Sequence, residues 1–246
     1  MERPLDRAII LAAGLGSRLV QGAPHPKPLE PVAGVPLLVR ILRTLAASGV
    51  REAVIVTGHL GDTLRQALAA ETSLGVKLTF VDNPAFATTK NGVSLLAARA
   101  FVDRDVLLTM ADHLFAPAIV ARLRQASLPP GACALAVDFD VPRCFDLDDA
   151  TKVKVDDGRI AAIGKELADY DALDTGLFRI GPELTDELAR LSAATGDCSL
   201  SEGVGALSKR GLFFACDVGD ARWIDVDTPE ARTHAEEMLR TFGDSL

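Results

Sequence analysis

Two cations and three acids stand out as groups that could handle a phosphate. Arg18 and Lys27 lie in one stretch, from Ala13 to Pro36, that is otherwise poor in charge. It opens with Leu11-Ala12-Ala13-Gly14-Leu15-Gly16-Ser17, directly after a short apolar run. Glycines there let the backbone approach a ligand closely and turn its amides toward phosphate oxygens. Leu11, Ala12, Ala13, Gly14, Gly16 and Ser17 are therefore candidates to touch a nucleotide. Arg18 and Lys27 could neutralise a triphosphate and the charge that builds as pyrophosphate departs. Neither familiar phosphate loop fits. A dinucleotide loop wants a third glycine where Leu19 stands, and a Walker loop wants Gly-Lys-Ser/Thr. Two solvated surface cations beside an ordinary turn are the competing interpretation.

The acids are Asp112, Asp225 and Asp227. Asp112 follows an expected strand, Asp105 to Met110, at the carboxyl edge where open α/β sheets bind ligands. An acid among apolar neighbours there suits Mg²⁺. Asp225 and Asp227 alternate along a short expected strand, which turns both toward one face. Asp227 stays open between a second metal ligand and a cap for the last helix with Thr228. Asn91 and Ser94 begin a helix after a loop, where side chains and free backbone donors can meet a base or ribose, or simply cap. His25, His59, His113 and His234 form no nucleophile–base set with a nearby serine or cysteine. His113 either orients Asp112 or sits in a loop.

The elements that must position these groups alternate between strand and helix. Ala8 to Ala12 reads as a buried strand and Leu37 to Ala47 as a helix with Leu38, Ile41, Leu42 and Leu45 on one stripe. Strand Ala53 to Thr57, helix Asp62 to Ala70, strand Val76 to Val81 and helix Val93 to Ala100 continue the pattern, which signals a parallel sheet with helices on both faces. Later, Lys152 to Val155 and Ile160 to Ile163 flank Asp157-Gly158 as a hairpin. Leu173 to Ile180 and Phe213 to Val218 read as strands, Pro182 to Ser192 as a helix, and Thr228-Pro229-Glu230 as the start of the last helix. The expectation is one α/β domain over 1–246, Rossmann-like, with a mixed but mostly parallel sheet. A nucleotide half covers about 1–115 and an acceptor half about 116–246.

Composition agrees. The chain has 246 residues, 48% hydrophobic and 24% charged, with a net charge of −8. This is the balance of a globular protein, and its acidity argues against a nucleic-acid surface. Cys133, Cys144, Cys198 and Cys216 show no metal-ligand spacing and read as reduced thiols. No apolar stretch reaches the ~18 residues of a membrane span, so a soluble, cytoplasmic protein is expected. Glu2 and Asp6 lie where a signal peptide's positive region should be, so the apolar start reads as a first strand instead.

Leu-Ala-Ala-Gly-x-Gly-Ser-Arg-Leu at 11–19 with Pro-Lys-Pro-Leu at 26–29 resembles the signature of the sugar-phosphate nucleotidyltransferases, a MobA-like superfamily with a GT-A-type fold. Asn91-Gly92-Val93-Ser94, Met110-Ala111-Asp112-His113, Ala150-Thr151-Lys152, Ile163-Gly164-Lys165, Asp174-Thr175-Gly176 and Trp223-Ile224-Asp225-Val226-Asp227 are similar to its cytidylyltransferase branch, which acts on inositol phosphate. The resemblance implies Mg²⁺ on Asp112 and Asp225, with Asn91 and Ser94 reading the base. It implies Lys165 as a third catalytic cation on the acceptor phosphate, and Asp174, Thr175 and Gly176 beside a polyol. It implies CTP and inositol 1-phosphate as substrates and CDP-inositol and pyrophosphate as products. A membrane-bound CDP-alcohol phosphotransferase, expected as a separate protein, would consume that product, and a homodimer is left open. Phosphocholine, a phosphonate, or a sugar 1-phosphate with UTP or dTTP are alternative substrates, and a regulatory nucleotide-binding domain is the non-enzyme alternative. A choline site would want aromatic faces, and one Trp and one Tyr argue against it.

Overall fold

The computed structural model describes residues 5–16, 18–19 and 25–243. Ser17 lies outside the described residues. Thirteen strands and seven α-helices follow one another among those described. The first half runs β1 (Arg7–Ala12), β2 (Pro31–Val32), β3 (Val35–Pro36), α1 (Leu37–Ala47), β4 (Glu52–Thr57), α2 (Gly61–Ala69), β5 (Lys77–Asp82), α3 (Asn91–Ala97), β6 (Val106–Met110) and β7 (His113–Phe115). The second runs α4 (Pro117–Gln125), β8 (Cys133–Asp138), β9 (Lys152–Asp156), β10 (Arg159–Gly164), β11 (Ala172–Ile180), α5 (Pro182–Thr195), α6 (Leu200–Ser208), β12 (Phe213–Asp217), β13 (Trp223–Asp225) and α7 (Pro229–Phe242).

Nine strands form one sheet in the order β5-β4-β1-β6-β11-β8-β12-β10-β9. From β5 to β6 this sheet is parallel, β1 pairing β4 on one side and β6 on the other, with β5 beyond β4. Beyond β6 the ladder turns mixed, with β11 antiparallel to both β6 and β8 and β12 parallel to β8. Side chains along a strand alternate between faces, and β1 shows why both faces need cover. Ala8, Ile10 and Ala12 join one core with α1, α2, α4 and α7, while Ile9 and Leu11 join the other with α3, α5 and α6. A strand buried on both sides reads as an unbroken apolar run.

Two local features build the site. The β9–β10 turn carries positive φ at Asp157 (47°) and Gly158 (73°), as the hairpin reading requires. The ribbon β7–β13 pairs Asp225 with His113, and Val226 N–H donates to Asp112 O at 2.9 Å. This pairing joins acids more than a hundred residues apart in sequence. The expected strand through Asp227 is shorter than the alternation implied: β13 stops at Asp225. Thr228 alone caps α7, its hydroxyl accepting from Ala231 N–H at 3.1 Å.

Candidate active site

At the carboxyl ends of β1 and β6, Lys27 donates to Asp112 Oδ2 at 2.8 Å and also pairs with Asp227. Its neighbours Pro28 and Leu29 are buried as well. Gly16 (φ 63°) makes room: a Cβ there would overlap the Lys27 side chain. Arg18 pairs with Asp227 and, at 3.0 Å, with Asp149. Leu11, Ala12, Gly14, Gly16, Arg18, Lys27, Asp112 and Asp227 together line a hollow of about 220 Å³. Ala13 stands beside it, its carbonyl accepting from His59 N–H at 3.2 Å.

His113 fixes the acid pair. Its Nδ1 lies 2.7 Å from Asp112 Oδ1 and 3.9 Å from Asp225 Oδ1, and its ring stacks on Trp223. Trp223 is held in turn by donating Nε1–H to buried Asp138 at 2.7 Å. Burial alone would lower the His113 pKa, but Asp225, Asp112 and Asp174 outweigh it and push it up to about 9. Burial would raise Asp112, yet Lys27 and His113 hold its carboxyl well below the usual carboxylate range.

Asp225 differs from its neighbours. Burial, with Asp112 and Asp149 nearby, pushes its carboxyl above the ordinary range despite His113 and Lys27. Its Oδ1 is buried without a hydrogen-bond partner. A buried acceptor left unpaired is costly and rare unless a ligand uses it. Ligand atoms of Asp112, His113 and Asp225 lie within 4.8 Å of one another, as do those of Asp149, Asp225 and Asp227. His113 spends Nδ1 on Asp112, so an ion here would meet carboxylate oxygens, the donors a hard divalent cation prefers. The acids fit such an ion.

Beyond them opens a cavity of about 460 Å³ whose lining includes Lys165, Asp174, Gly176, His113 and Asp225. Lys165 donates to Asp149 Oδ1 at 2.5 Å. Burial pushes Asp174 up to about 6 even though Gly176 N–H donates to it at 2.7 Å and His113 opposes the shift. The register slips between Asp174 and Phe178, a bulge that aims Asp174 at the cavity. Gly176 (φ 74°) sits in that bulge, where a Cβ would overlap the His113 ring. Gly176→Ala should therefore cost about 1–3 kcal/mol of stability and displace His113. Chemical denaturation and His113 ring NMR shifts check this, an unmoved ring being the contrary result.

Three expected features sit differently from their sequence reading. Thr175 is fully buried and donates to Ala136 O at 2.8 Å, because strand alternation turns it away from the cavity. It cannot touch an acceptor from there. Ser94 is buried and accepts from Asn83 Nδ2 at 3.0 Å, while Asn91 lends its Oδ1 to Leu200 N–H at 2.9 Å, bonding the start of α6. Asn91 lines the larger cavity rather than the glycine-loop hollow, and Ser94 lines neither. The cavity is also richer in aromatic rings than one Trp and one Tyr implied: Trp223, Phe145, Phe178 and Phe242 line it. Asp149 and Asp138 were not singled out in the sequence. Asp149 was legible only as one acid in the run Asp146-Leu147-Asp148-Asp149 before Ala150-Thr151-Lys152. Asp138 carried no signal beyond ending an apolar run.

The MobA-like NTP transferase domain matches residues 8–207. The chain belongs to that family. Among relatives of this chain is the "Bifunctional IPC transferase and DIPP synthase" of Rubrobacter xylanophilus, 39% identical over 236 residues, covering 94% of this chain and 51% of that protein. The "CMP-5'-(3-aminopropyl)phosphonate synthase" of Streptomyces rubellomurinus is 36% identical over 246 residues, covering 94% of this chain and 38% of that protein. The chain thus spans about half or less of the length of these curated relatives. The solved structure of the inositol-1-phosphate CTP transferase from T. maritima superposes with a TM-score of 0.83 at 26% identity, covering 98% of this chain and 97% of that one. The chain has the family's Rossmann-like α/β fold, and no helix among the described residues is long and apolar enough to cross a membrane.

Proposed function

We propose that the chain is a Mg²⁺-dependent cytidylyltransferase that converts CTP and inositol 1-phosphate to CDP-inositol and pyrophosphate. The observation that carries this reading is the adjacency of two compartments. The hollow with Lys27, Arg18 and the glycine turn shares Asp227 with the cavity holding Lys165 and Asp174. A triphosphate and a phosphorylated acceptor can thus meet at the acids between them.

The acceptor phosphate is already anionic at neutral pH, so its oxygen needs no base to attack the α-phosphorus of CTP. The new P–O bond forms as the bond to pyrophosphate breaks, and the electron pair leaves with pyrophosphate. What the protein must supply is position and positive charge. Lys27 and Arg18 would take the leaving phosphates, Lys165 the acceptor phosphate, and Asp174 and the Gly176 backbone would stand beside the polyol. Asp112 and Asp225 would hold Mg²⁺, which supplies neutralisation of charge on the triphosphate. Asp227, saturated by Lys27 and Arg18, would orient those cations. The product would serve a phosphotransferase that displaces CMP, and the reaction would be cytoplasmic.

The aromatic and acidic lining of the larger cavity favours a second reading, a cationic acceptor such as an aminoalkylphosphonate or phosphocholine. Pyrophosphate release with CTP and Mg²⁺ across inositol 1-phosphate, phosphocholine, 3-aminopropylphosphonate and glucose 1-phosphate separates them. Inositol 1-phosphate should exceed the acceptors without ring hydroxyls in kcat/KM by roughly 10⁴-fold, the discrimination available to a site that hydrogen-bonds hydroxyls. A cationic acceptor in first place would move the assignment to the second reading.

A further inference from the structure

One carboxylate that the function above does not use ties its two compartments together. Asp149 Oδ2 lies 3.0 Å from Arg18 Nη1, and Asp149 Oδ1 lies 2.5 Å from Lys165 Nζ. Arg18 and Lys165 are more than half exposed, at 54% and 53%, so packing does not fix either head group. Long exposed cations carry large rotamer entropy and need a partner to hold one geometry. Asp149 itself is held. Asp149 N–H donates to Asp146 Oδ1 at 3.3 Å, and buried Lys152 donates to Asp148 O at 3.1 Å. Burial would raise its carboxyl, but Lys165 and Arg18 keep it below the usual carboxylate range.

We propose that Asp149 is a positioning residue that sets the distance between the triphosphate-binding and acceptor-binding cations by holding Arg18 and Lys165 on the two oxygens of one carboxylate. This rests on the nucleotidyltransfer reading. It carries two consequences of opposite sign. Asp149 competes with each substrate's phosphate for its cation, so it weakens the binding of each substrate taken singly. It also brings both cations to the line of attack, so it speeds the step that joins them. Charge alone predicts something different. An acid beside two reacting anions only repels them, and its removal would accelerate turnover.

Asp149→Asn keeps the shape and removes the charge. CTP with Mg²⁺ and no acceptor, titrated calorimetrically, should bind roughly two- to five-fold more tightly to Asp149→Asn, the size of a lost exposed ion pair. Turnover with saturating CTP and inositol 1-phosphate should fall about tenfold or more. Thermal unfolding of both proteins shows that each is folded. Weaker CTP binding, or turnover that is unchanged or faster, overturns the proposal. A wild type that neither binds CTP nor releases pyrophosphate overturns the nucleotidyltransfer reading and this proposal with it. An active wild type beside an Asp149→Asn protein of equal turnover overturns this proposal alone.

Discussion

Lys27→Ala should lower kcat by roughly 10³-fold while changing the KM for CTP by less than about tenfold. The ammonium is the most deeply seated cation of the site, 8% exposed and pinned between Asp112 and Asp227. A group held this firmly before substrate arrives needs no reorganisation when charge develops on departing pyrophosphate, so its contribution falls on the transition state. The same burial gives the variant a stability cost. Removing one partner of a buried ion pair leaves the others uncompensated, at about 3–5 kcal/mol. Asp112 and Asp227 would then face one another without the cation between them. Steady-state pyrophosphate release, normalised to the folded fraction from circular dichroism, checks the kinetic claim. Lys27→Arg should not rescue it, because a broad planar guanidinium cannot take the place of the compact ammonium between Asp112 and Asp227. A KM that rises a hundredfold with kcat unchanged would place Lys27 in simple substrate binding.

Asp225→Asn should abolish turnover, by about 10³-fold or more, and leave the metal-free protein as stable as wild type or more so. Buried Oδ1 has no hydrogen-bond partner, a strain carried by function rather than by folding. The sign follows from the raised carboxyl. In the unfolded chain the acid ionises at its ordinary pH, whereas in the folded chain it resists, so at neutral pH the ionised side chain costs stability that an amide does not. Two thermal scans read this out. Without divalent ion, the variant's Tm should equal or exceed that of wild type. With millimolar Mg²⁺ and CTP, wild type should gain Tm by ligand linkage and the variant should gain far less. A variant destabilised without metal would assign Asp225 a structural role instead.

The lysine was legible because nothing structural calls for a cation in a glycine-rich loop, and Asp112 because it follows a buried strand. The parallel half of the fold was legible for the same reason that makes it stable. β1 and β4 are buried on both faces and write themselves as apolar runs, and α1 shows its stripe at Leu38, Ile41, Leu42 and Leu45. What stayed hidden depends on pairing. Asp225 meets His113 only through β7 and β13, two three-residue strands too short to carry a periodic signal. α6 was passed over because Gly203 and Gly205 lower helix propensity, although Ser199 and Glu202 form a capping box that marks its start. Gly203 is explained by packing: a Cβ there would press on Leu188 and Leu184 of α5.

Roles for Asn91 and Ser94 were less readable than their positions. An amide and a hydroxyl at the start of a helix suit a nucleobase and suit a neighbouring backbone equally well. The competing partners, Leu200 N–H and Asn83, come from α6 and from the end of β5. Local sequence cannot weigh donors from elsewhere in the fold. Thr175 shows the converse, where period-two alternation next to Asp174 already turned it inward. Asp149 needed the structure outright, since its meaning lies in two cations from opposite halves of the chain.

In the proposed complex, acids from two strand ends and cations from one bent loop gather around a single metal-bound triphosphate. A crystal of the protein grown with CTP and Mn²⁺ tests it most directly, through the anomalous signal of the metal. The expected result is a manganese peak in contact with Asp112 and Asp225, with the triphosphate against Lys27. A peak elsewhere, or a triphosphate that leaves Lys27 bound only to Asp112 and Asp227, would contradict it.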